Sequence, residues 1–315
     1  MSSATPTLAH RLQDGTVAAV AFLLRIVPEV VAQGLGWGLG WLAGSVLRVR
    51  RRVVDENLAR AFPRESKRWR RRVAARVFPH IGREAVTLLR LAGASPADIR
   101  SRTQVQGFDA VEEALAQGKG ILFLTGHLGN WEIGGGGTSA RGIPLDVVAR
   151  TQRNPLIDAR LNASRAQLGM EVIDRKEAPR KVLRALRKGR GVALVADQNV
   201  RRGDFFVEFF GTPASTARGP ALFARRTGAP VFLAFPLRLP GWRARYRIRF
   251  QPLRVPRGPE GDDEGFDRRL TRAYLAELEA EIRKAPEQYF WPHKRWKTRP
   301  SREGDDEEPT ASEPV

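Results

Sequence analysis

Hydrophobic and polar positions divide the chain into a helical first third and a longer region in which strands alternate with helices. Two apolar stretches come first, Thr16 to Arg25 and Val30 to Leu47, and the second has eighteen uncharged residues. That length is the lower limit for a helix that crosses a bilayer. From Val53 to about Ala92, apolar residues recur at spacings of three and four, which predicts helices that break at Pro63 and Pro79.

The region after residue 95 contains five short apolar runs that we predict to be strands. They cover residues 120–127, 145–150, 170–174, 191–198 and 230–238. Amphipathic stretches between these runs are typical of helices, and one last helix is predicted over Phe266 to Lys284. This order predicts an α/β fold with a mainly parallel or mixed central sheet flanked by helices, and functional residues at the carboxyl ends of the strands.

The N-terminal stretches are predicted to form an apolar helical anchor at a membrane. Arginines 48 and 50–52 follow the second stretch directly, as expected on the cytoplasmic side of a membrane segment, and Trp37 and Trp41 suit an interface. The alternative is a glycine-rich pair of buried helices. The predicted organisation is an anchor over 1–52, an α/β domain over 53–300 and a disordered acidic tail over 301–315.

Charge and composition narrow the partners and the chemistry. The 54 Lys and Arg residues outnumber the 34 Asp and Glu residues, which gives a formal net charge of +20. That charge favours an acidic partner: an anionic membrane, a phosphorylated substrate, an acidic protein or nucleic acid. The chain has no cysteine, so disulfides, thiolate nucleophiles and cysteine metal sites are excluded. Four histidines disfavour a multi-histidine metal site, and no metal or other cofactor is expected.

A histidine and a glutamate lie five residues apart in the segment LTGHLGNWEIGGGG, Leu124 to Gly137. Residues five apart on a regular helix point about 140° from each other, so His127 must lie off the helix that carries Glu132. We predict that His127 follows a strand and that Glu132 lies in the first helical turn, where the helix dipole favours a carboxylate. Glu132 is then expected to reach back to one imidazole nitrogen and make the other more basic.

No nucleophile accompanies this pair. The chain lacks cysteine and a G-x-S-x-G segment, and the nearby hydroxyls of Thr125 and Thr138 have no supporting context. A histidine with a carboxylate partner suits direct transfer, in which the imidazole takes the proton of a substrate hydroxyl that attacks an acyl carbonyl. A structural, hydrogen-bonded histidine is the alternative interpretation.

The segment GHLGNWE resembles the His-x4-Glu motif of the late acyltransferases of lipid A biosynthesis, the lauroyl and myristoyl transferases within the lysophospholipid acyltransferase-like group. Further blocks extend the resemblance over nearly the whole chain: ENLARAFP at 56–63, NPLIDARLNASR at 154–165, ADQNVRRGDFFVEFFG at 196–211 and APEQYFWPHKRWKTRP at 285–300. The glycine run after Glu132 and the acidic tail have no counterpart in these motifs.

The resemblance implies roles for individual residues. His127 matches the catalytic base and Glu132 its charge partner, and Arg165 matches an active-site arginine suited to a phosphate or to the developing oxyanion. Backbone amides of the glycine-rich turn are alternative oxyanion donors. Residues of the motif blocks are implied to bind substrate; they are Asn130, Asp197, Gln198, Lys294 and Arg295. For Asn130, Asp197 and Gln198 the alternative is a structural role in loop hydrogen bonding and packing. Phe209 and Phe210 are assigned either to an acyl groove or to the core.

The resemblance therefore implies an O-acyltransferase at the cytoplasmic face of the inner membrane. Its donor is expected to be acyl carrier protein, or acyl-CoA, and its acceptor a glycolipid such as a lipid A precursor; no nucleic acid is involved. One alternative is acylation of a glycolipid of the phosphoinositide mannoside type with acyl-CoA. Another is a basic, membrane-tethered binding protein without catalysis.

Overall fold

The structure is a computed structural model that describes residues 6–201, 205–259 and 261–300. The predicted acidic tail over 301–315 lies outside the described residues, as do residues 202–204 of the block at 196–211. Within the described part, helices cover both faces of one central sheet.

Eleven α-helices are present in the described residues. In chain order they are α1 (Leu8–Ile26), α2 (Glu29–Trp41), α3 (Arg51–Ala61), α4 (Lys67–Leu91), α5 (Pro96–Arg102), α6 (Phe108–Ala116), α7 (Trp131–Ser139), α8 (Pro155–Gln167), α9 (Ala178–Arg187), α10 (Gly219–Thr227) and α11 (Asp263–Lys284). A π-helical turn, Leu42–Val46, extends α2, and a 3-10 turn, Pro286–Gln288, follows α11.

Nine strands lie in the same residues: β1 (Thr103–Gln106), β2 (Ile121–Thr125), β3 (Leu145–Ala149), β4 (Met170–Asp174), β5 (Gly191–Val195), β6 (Phe206–Phe209), β7 (Thr212–Ser215), β8 (Val231–Arg238) and β9 (Tyr246–Pro252). Seven form the central sheet in the order β1-β9-β8-β2-β5-β3-β4, with β8 and β9 antiparallel and the other neighbours parallel. β6 and β7 form a separate antiparallel hairpin. The predicted α/β fold with a mainly parallel central sheet is confirmed.

All five predicted strands are present, as β2, β3, β4, β5 and β8, and the last predicted helix is α11. The prediction missed β1, β9 and the hairpin. Both faces of the sheet are buried, because Leu122 and Leu124 of β2 lie in one hydrophobic core while Ile121 and Phe123 lie in another. A strand buried on both sides reads as a continuous apolar run, which is why β2 was recognisable.

The predicted helix break at Pro63 is confirmed, but the one at Pro79 is wrong, because α4 continues through it. Proline removes one backbone hydrogen bond from a helix and normally kinks or ends it. Here α2 packs closely along α4: a Cβ on Gly36 would lie 2.7 Å from the carbonyl oxygen of Gly82. Tertiary packing against a glycine-lined helix therefore outweighs the local preference.

The helices α1 and α2 lie against the α/β body. Glu29 at the start of α2 accepts hydrogen bonds from Arg102 at 2.9 Å and from the backbone N–H of Ala244 at 2.6 Å. Within the described residues, no single helix is long and apolar enough to cross a membrane, and only a pair bent by 86°, Glu29–Val46 with Arg51–Ala61, meets the length and composition requirements. The anchor over 1–52 therefore stays a prediction.

A buried carboxylate joins these layers. Glu84 of α4 accepts hydrogen bonds from Arg238 of β8 at 2.8 Å, from the hydroxyl of Tyr246 at 2.6 Å and from the side-chain amide of Asn130 at 2.7 Å. The second terminal nitrogen of Arg238 donates to Gln33 of α2 at 2.8 Å. Burial alone raises the pKa of Glu84, but the charges of His80 and Arg238 and the hydrogen bonds from Tyr246 and Asn130 lower it overall. The side chain is therefore ionised inside the protein.

We expect Glu84→Gln to lower the free energy of unfolding by about 3–5 kcal/mol, because it leaves the charge of Arg238 buried without a counter-ion. Urea unfolding followed by circular dichroism measures this. Glu56→Gln is the matched control: Glu56 also pairs with an arginine, Arg52, but both side chains are more than half exposed, and its loss should cost less than about 1 kcal/mol. Equal losses in the two variants would contradict a central role for Glu84.

Candidate active site

The loop between β2 and α7 carries the histidine of the motif. β2 ends at Thr125, and α7 begins at Trp131 with Asn130 as its N-cap, whose side-chain oxygen accepts from the N–H of Ile133 at 3.0 Å. His127 lies off the helix, at the carboxyl edge of the sheet, and Glu132 lies in the first turn of α7. Both placements agree with the sequence prediction.

The carboxylate that bonds to His127 is Asp197, which follows β5. Nδ1 of His127 lies 2.6 Å from one Asp197 oxygen, and the backbone N–H of His127 donates to the other at 2.9 Å. Because β5 is the parallel neighbour of β2, the two residues meet at one edge of the sheet. The predicted contact between Glu132 and the imidazole is not formed: in the described structure, Asp197 takes that position.

The ionisation of Asp197 fixes the tautomer of His127. Burial alone would raise the pKa of Asp197, but the charge of His127, two hydrogen bonds from it and the charge of Arg295 lower that pKa to about 2. A carboxylate that is ionised at neutral pH only accepts hydrogen bonds, so Nδ1 of His127 carries the proton. In the neutral ring, Nε2 then has the lone pair and accepts from the side-chain amide of Gln198 at 3.0 Å.

Glu132 forms a different pair. Its two oxygens accept from Nε of Arg165 at 3.0 Å and from a terminal nitrogen of Arg165 at 2.5 Å, in a two-point contact between α7 and α8. The other terminal nitrogen of Arg165 donates to Asn162 at 3.2 Å. Burial lowers the pKa of Arg165, but the hydrogen bond and charge of Glu132 raise it overall. The site therefore contains two separate charge pairs rather than one His–Glu dyad.

The glycine run after Glu132 lies inside α7, not in a turn. A Cβ on any of the four glycines would press on a neighbour: on Pro236 at 2.8 Å from Gly134, on Met170 at 2.8 Å from Gly135, on Leu168 at 2.9 Å from Gly136 and on Ile248 at 2.6 Å from Gly137. The expected oxyanion donors in a glycine-rich turn are thus absent at these positions. The glycines instead let α7 lie close to the sheet, which places its N-terminus beside His127.

The C-terminal segment after α11 closes over the loop. The N–H of Gly129 donates to the carbonyl of Gln288 at 3.0 Å, and the N–H of Phe290 donates to the carbonyl of His127 at 2.9 Å. The segment is held in turn by Asn57, whose side chain donates to the carbonyls of Trp291 at 2.8 Å and His293 at 2.7 Å. Two motif blocks far apart in sequence therefore hold the histidine loop in place.

The loop after β5 is held by the same segment. Burial lowers the pKa of His293 to about 4, so its ring is neutral at pH 7, and its Nε2 accepts from the backbone N–H of Asn199 at 3.1 Å. The side-chain oxygen of Asn199 accepts from the N–H of Thr298 at 3.0 Å. His293 and Thr298 thus fix the loop that presents Asp197 and Gln198.

Several predicted substrate contacts prove to be structural. Asn130 is 3% exposed, and both its side-chain groups are used, in the helix cap and on Glu84. Arg295 is 1% exposed and donates to the carbonyl of Ser215 and the hydroxyl of Thr216, each at 2.7 Å. Neither side chain is placed to reach a substrate. Lys294 is exposed, and Phe209 and Phe210 are buried in the core, which favours the core interpretation of that pair.

From the sequence, Asp197 was assigned to substrate binding or to loop hydrogen bonding, and not to the imidazole of His127 with which it bonds. The available signal was its position at the end of a predicted strand, because the carboxyl ends of parallel neighbours meet at one edge of the sheet. Which strand neighbours β2 is set by the crossovers, and these are not visible in the sequence. Glu84, buried and far from any motif, gave no signal at all.

Comparison with known proteins gives a consistent result. The sequence model of the family described as bacterial lipid A biosynthesis acyltransferase matches residues 8–298. The chain is 31% identical over 286 residues to the lipid A biosynthesis lauroyltransferase of Escherichia coli K12, covering 89% of this chain and 90% of that protein. It is 28% identical to the lipid A biosynthesis palmitoleoyltransferase of the same strain, with 87% of each chain covered. It is also 29% identical to the phosphatidylinositol mannoside acyltransferase of Mycolicibacterium smegmatis, covering 71% of this chain and 75% of that protein.

We expect nitrogen-15 NMR of histidine-labelled protein to find His127 protonated at Nδ1, with a strongly downfield proton from the 2.6 Å contact with Asp197. Asp197→Asn should shift the ring toward the Nε2-protonated tautomer, because an amide can donate to Nδ1. Glu132→Gln is the matched control and should leave the tautomer unchanged. A tautomer that responds to Glu132→Gln, and not to Asp197→Asn, would restore the His–Glu pairing.

Proposed function

Because the chain belongs to the bacterial lipid A biosynthesis acyltransferase family, we propose that it transfers a fatty acyl chain from an acyl thioester to a hydroxyl of a lipid A precursor. Acyl carrier protein is the donor that we favour. The observation that carries the proposal is His127, held at a strand end with its Nε2 lone pair facing the exposed Gln198 and its Nδ1 bound to a buried carboxylate.

In the proposed mechanism, the acceptor hydroxyl displaces the amide of Gln198 and donates its proton to Nε2 of His127. The hydroxyl oxygen attacks the thioester carbonyl, and the resulting tetrahedral intermediate breaks its carbon–sulfur bond. The imidazolium returns its proton to the leaving thiolate, which yields an ester and a free thiol. Asp197 stabilises the imidazolium through the 2.6 Å contact and stays ionised throughout.

The tetrahedral intermediate carries negative charge on the former carbonyl oxygen, and the donors that we propose for it lie at the start of α7, the helix that follows the His127 loop. The N–H of Ile133 in the first turn of α7 is used by the Asn130 cap, while the turn's other N–H groups have no acceptor within the helix. The helix dipole is positive at this end. Arg165 is held beside them by Glu132. We assign Glu132 to positioning Arg165, so that the motif glutamate acts on the oxyanion side of the reaction.

A second acceptor class has one observation in its favour. The phosphatidylinositol mannoside acyltransferase of M. smegmatis is 29% identical to this chain, close to the 28% of a lipid A enzyme. A glycolipid of that type with acyl-CoA as donor is therefore the alternative acceptor. A non-catalytic binding role is disfavoured, because a buried carboxylate holds Nδ1 of His127 and directs Nε2 to the exposed Gln198, an arrangement that suits a general base.

We further propose that the protein rests on the cytoplasmic face of the inner membrane through an apolar surface of α1, α2 and the following turn. Large apolar side chains that are at least 40% exposed are concentrated there: Leu8, Leu12, Val20, Phe22, Leu23, Ile26, Val30, Val31, Leu35, Trp37, Leu39, Trp41, Leu42, Val46, Leu47 and Val49. The only such residue elsewhere in the described chain is Trp242. Exposed arginines follow at 48, 50 and 52, as suits an anionic lipid surface.

We expect the purified protein in detergent to add one acyl group to a tetra-acylated lipid A precursor when supplied with acyl carrier protein thioesters, as read by mass spectrometry. His127→Ala should lower kcat at least about 10²-fold, the usual contribution of a general base. His10→Ala is the control: it removes a histidine near the N-terminus, outside the site of His127, and should retain activity.

Undiminished transfer by His127→Ala would overturn the mechanism. Acylation by the wild-type protein only of phosphoinositide mannosides with acyl-CoA would overturn the proposed acceptor and support the alternative.

For the membrane proposal, we expect Leu35→Glu with Leu39→Glu to weaken flotation with vesicles of phosphatidylethanolamine and phosphatidylglycerol by about tenfold or more, because two exposed apolar contacts are lost. Gln104→Glu with Gln117→Glu adds the same charge at two exposed positions outside the apolar surface and should bind as the wild type does. Equal binding by both double variants would show that this surface does not contact lipid.

A further inference from the structure

A cavity of about 350 Å³ lies at the carboxyl end of β3, and no step of the proposed mechanism uses it. It is lined by Arg150, Thr151, Gln152, Arg153, Asn154 and Ile157. Two of these six side chains are arginines, whose planar guanidinium groups suit the oxygens of a phosphate. The cavity can therefore offer two guanidinium groups to an anion.

The arginines of this cavity are free to bind a ligand. Both Arg150 and Arg153 are exposed, and in the described part of the chain neither guanidinium has a hydrogen-bond or ion-pair partner. Arg175 and Lys176 follow β4 beside them, and the N–H of Arg175 donates to the carbonyl of Ala149 at 2.9 Å. The loops after β3 and β4 therefore form one basic rim, defined by Arg150, Arg153, Arg175 and Lys176.

The nearby acids are engaged by the loops themselves. Asp158 accepts from the N–H of Gln152 at 2.7 Å, and Asp174 accepts from the hydroxyl of Thr151 and from the N–H of Lys176. These bonds shape the loop, and Asp174 also lies within the electrostatic reach of Lys176. The four cations of the rim still outnumber the two carboxylates. The net charge of the cavity mouth is therefore positive.

The loop that shapes the cavity is anchored. Asn154 is 6% exposed; its side-chain oxygen accepts from the N–H of Leu156 at 3.0 Å, and its amide donates to the carbonyl of His10 at 3.0 Å and to Gln13 at 3.1 Å. The cavity is therefore fixed between the sheet and α1.

The cavity lies on the same edge of the sheet as His127. In the order β2-β5-β3, two strand spacings separate the end of β2 from the end of β3, which is a distance of about 10 Å. When one sugar of a saccharide places its hydroxyl at Nε2 of His127, the next sugar of the same molecule reaches this rim. The rim is too far away for the oxyanion of the same reaction.

The cavity also borders the apolar surface. Asn154, which fixes the loop of the cavity, bonds to α1, where Leu8 is 73% and Leu12 is 64% exposed. Asp14 of α1 also pairs with Arg160 of α8 at 2.8 Å. An amphiphile with acyl chains in the lipid phase and a phosphorylated head group at the sheet edge would meet apolar and basic contacts in that order.

We propose that the cavity at Arg150 and Arg153 binds a phosphomonoester on the saccharide of the acceptor. This assignment rests on the proposed function and names the part of the acceptor that the basic rim recognises. The acceptor is favoured over the donor because its hydroxyl must lie at His127 and its acyl chains must lie in the membrane, and the cavity is adjacent to both.

The test compares two double variants. The cavity variant carries Arg150→Ala and Arg153→Ala, and the control carries Arg184→Ala and Arg187→Ala. The control removes two exposed, unpaired arginines of α9 near the opposite end of the sheet. Calorimetry with a bisphosphorylated, deacylated glucosamine disaccharide reports binding, and steady-state assays report KM for the acceptor with and without its phosphates.

We expect the cavity variant to weaken disaccharide binding and to raise KM for the phosphorylated acceptor by about tenfold or more, with unchanged KM for the acyl donor. KM for the dephosphorylated acceptor should be the same in the cavity variant and the wild type, and the control should match the wild type throughout. Disaccharide binding that is absent in the wild type, or equal in both double variants, overturns the site.

A rise in KM for the acyl donor alone also overturns the proposal and assigns the rim to the donor's phosphate. If the wild-type protein binds the disaccharide through Arg150 and Arg153 but transfers no acyl group to the acceptor, the phosphate site stands and the proposed function fails. The two conclusions are therefore separable.

Discussion

The buried charge of Glu84 is the constraint on which the arrangement of the site depends. A carboxylate inside a protein is tolerated only when charges and hydrogen bonds replace the water it has lost. Glu84 finds those groups on β8, on β9 and on the N-cap of α7, and Arg238 extends the set to α2. Moving any one of these elements would leave a buried charge or a buried amide without its partner. The start of α7, and with it the histidine loop, is therefore positioned from inside the protein rather than from the surface of the site.

The helix α2 connects this interior to the surface that we assign to the membrane. Its outward face carries exposed apolar side chains such as Leu35 and Leu39, while its inward face carries Gln33, which is fully buried, and the glycines that let it approach α4. Gln33 donates to Thr87 at 3.0 Å and accepts from Arg238 at 2.8 Å. The helix that we propose to contact lipid is thus bonded to the same polar cluster that includes the N-cap of α7. The proposed membrane surface and the histidine loop are thus linked through four side chains, Gln33, Arg238, Glu84 and Asn130.

Most of the fold was predictable from the sequence, because the central strands are buried on both faces and appear as apolar runs. The strand β9 was missed because its arginines and glutamine alternate with buried residues, so it contains no continuous apolar run. The strand β1 was missed because it has only four residues. The site was predictable up to the position of His127 at a strand end. Its partner was not, because Asp197 lies 70 residues away and becomes a neighbour only through the pairing of β2 with β5. The spacing of a motif gives only the distance between residues along the chain. The order of the strands in the sheet determines which carboxylate lies beside the imidazole.

The two charge pairs give the five-residue spacing of His127 and Glu132 a physical meaning. One residue ends a strand and the other begins a helix, so their side chains point to different neighbours, Asp197 across the sheet and Arg165 on α8. Arg165 uses two of its five N–H groups on Glu132 and a third on Asn162, which leaves two for a ligand. A guanidinium held at three points presents those remaining donors in a fixed direction, and it loses little entropy when it binds an oxyanion. We therefore propose that proton transfer and oxyanion binding belong to opposite ends of one short loop, each with its own carboxylate.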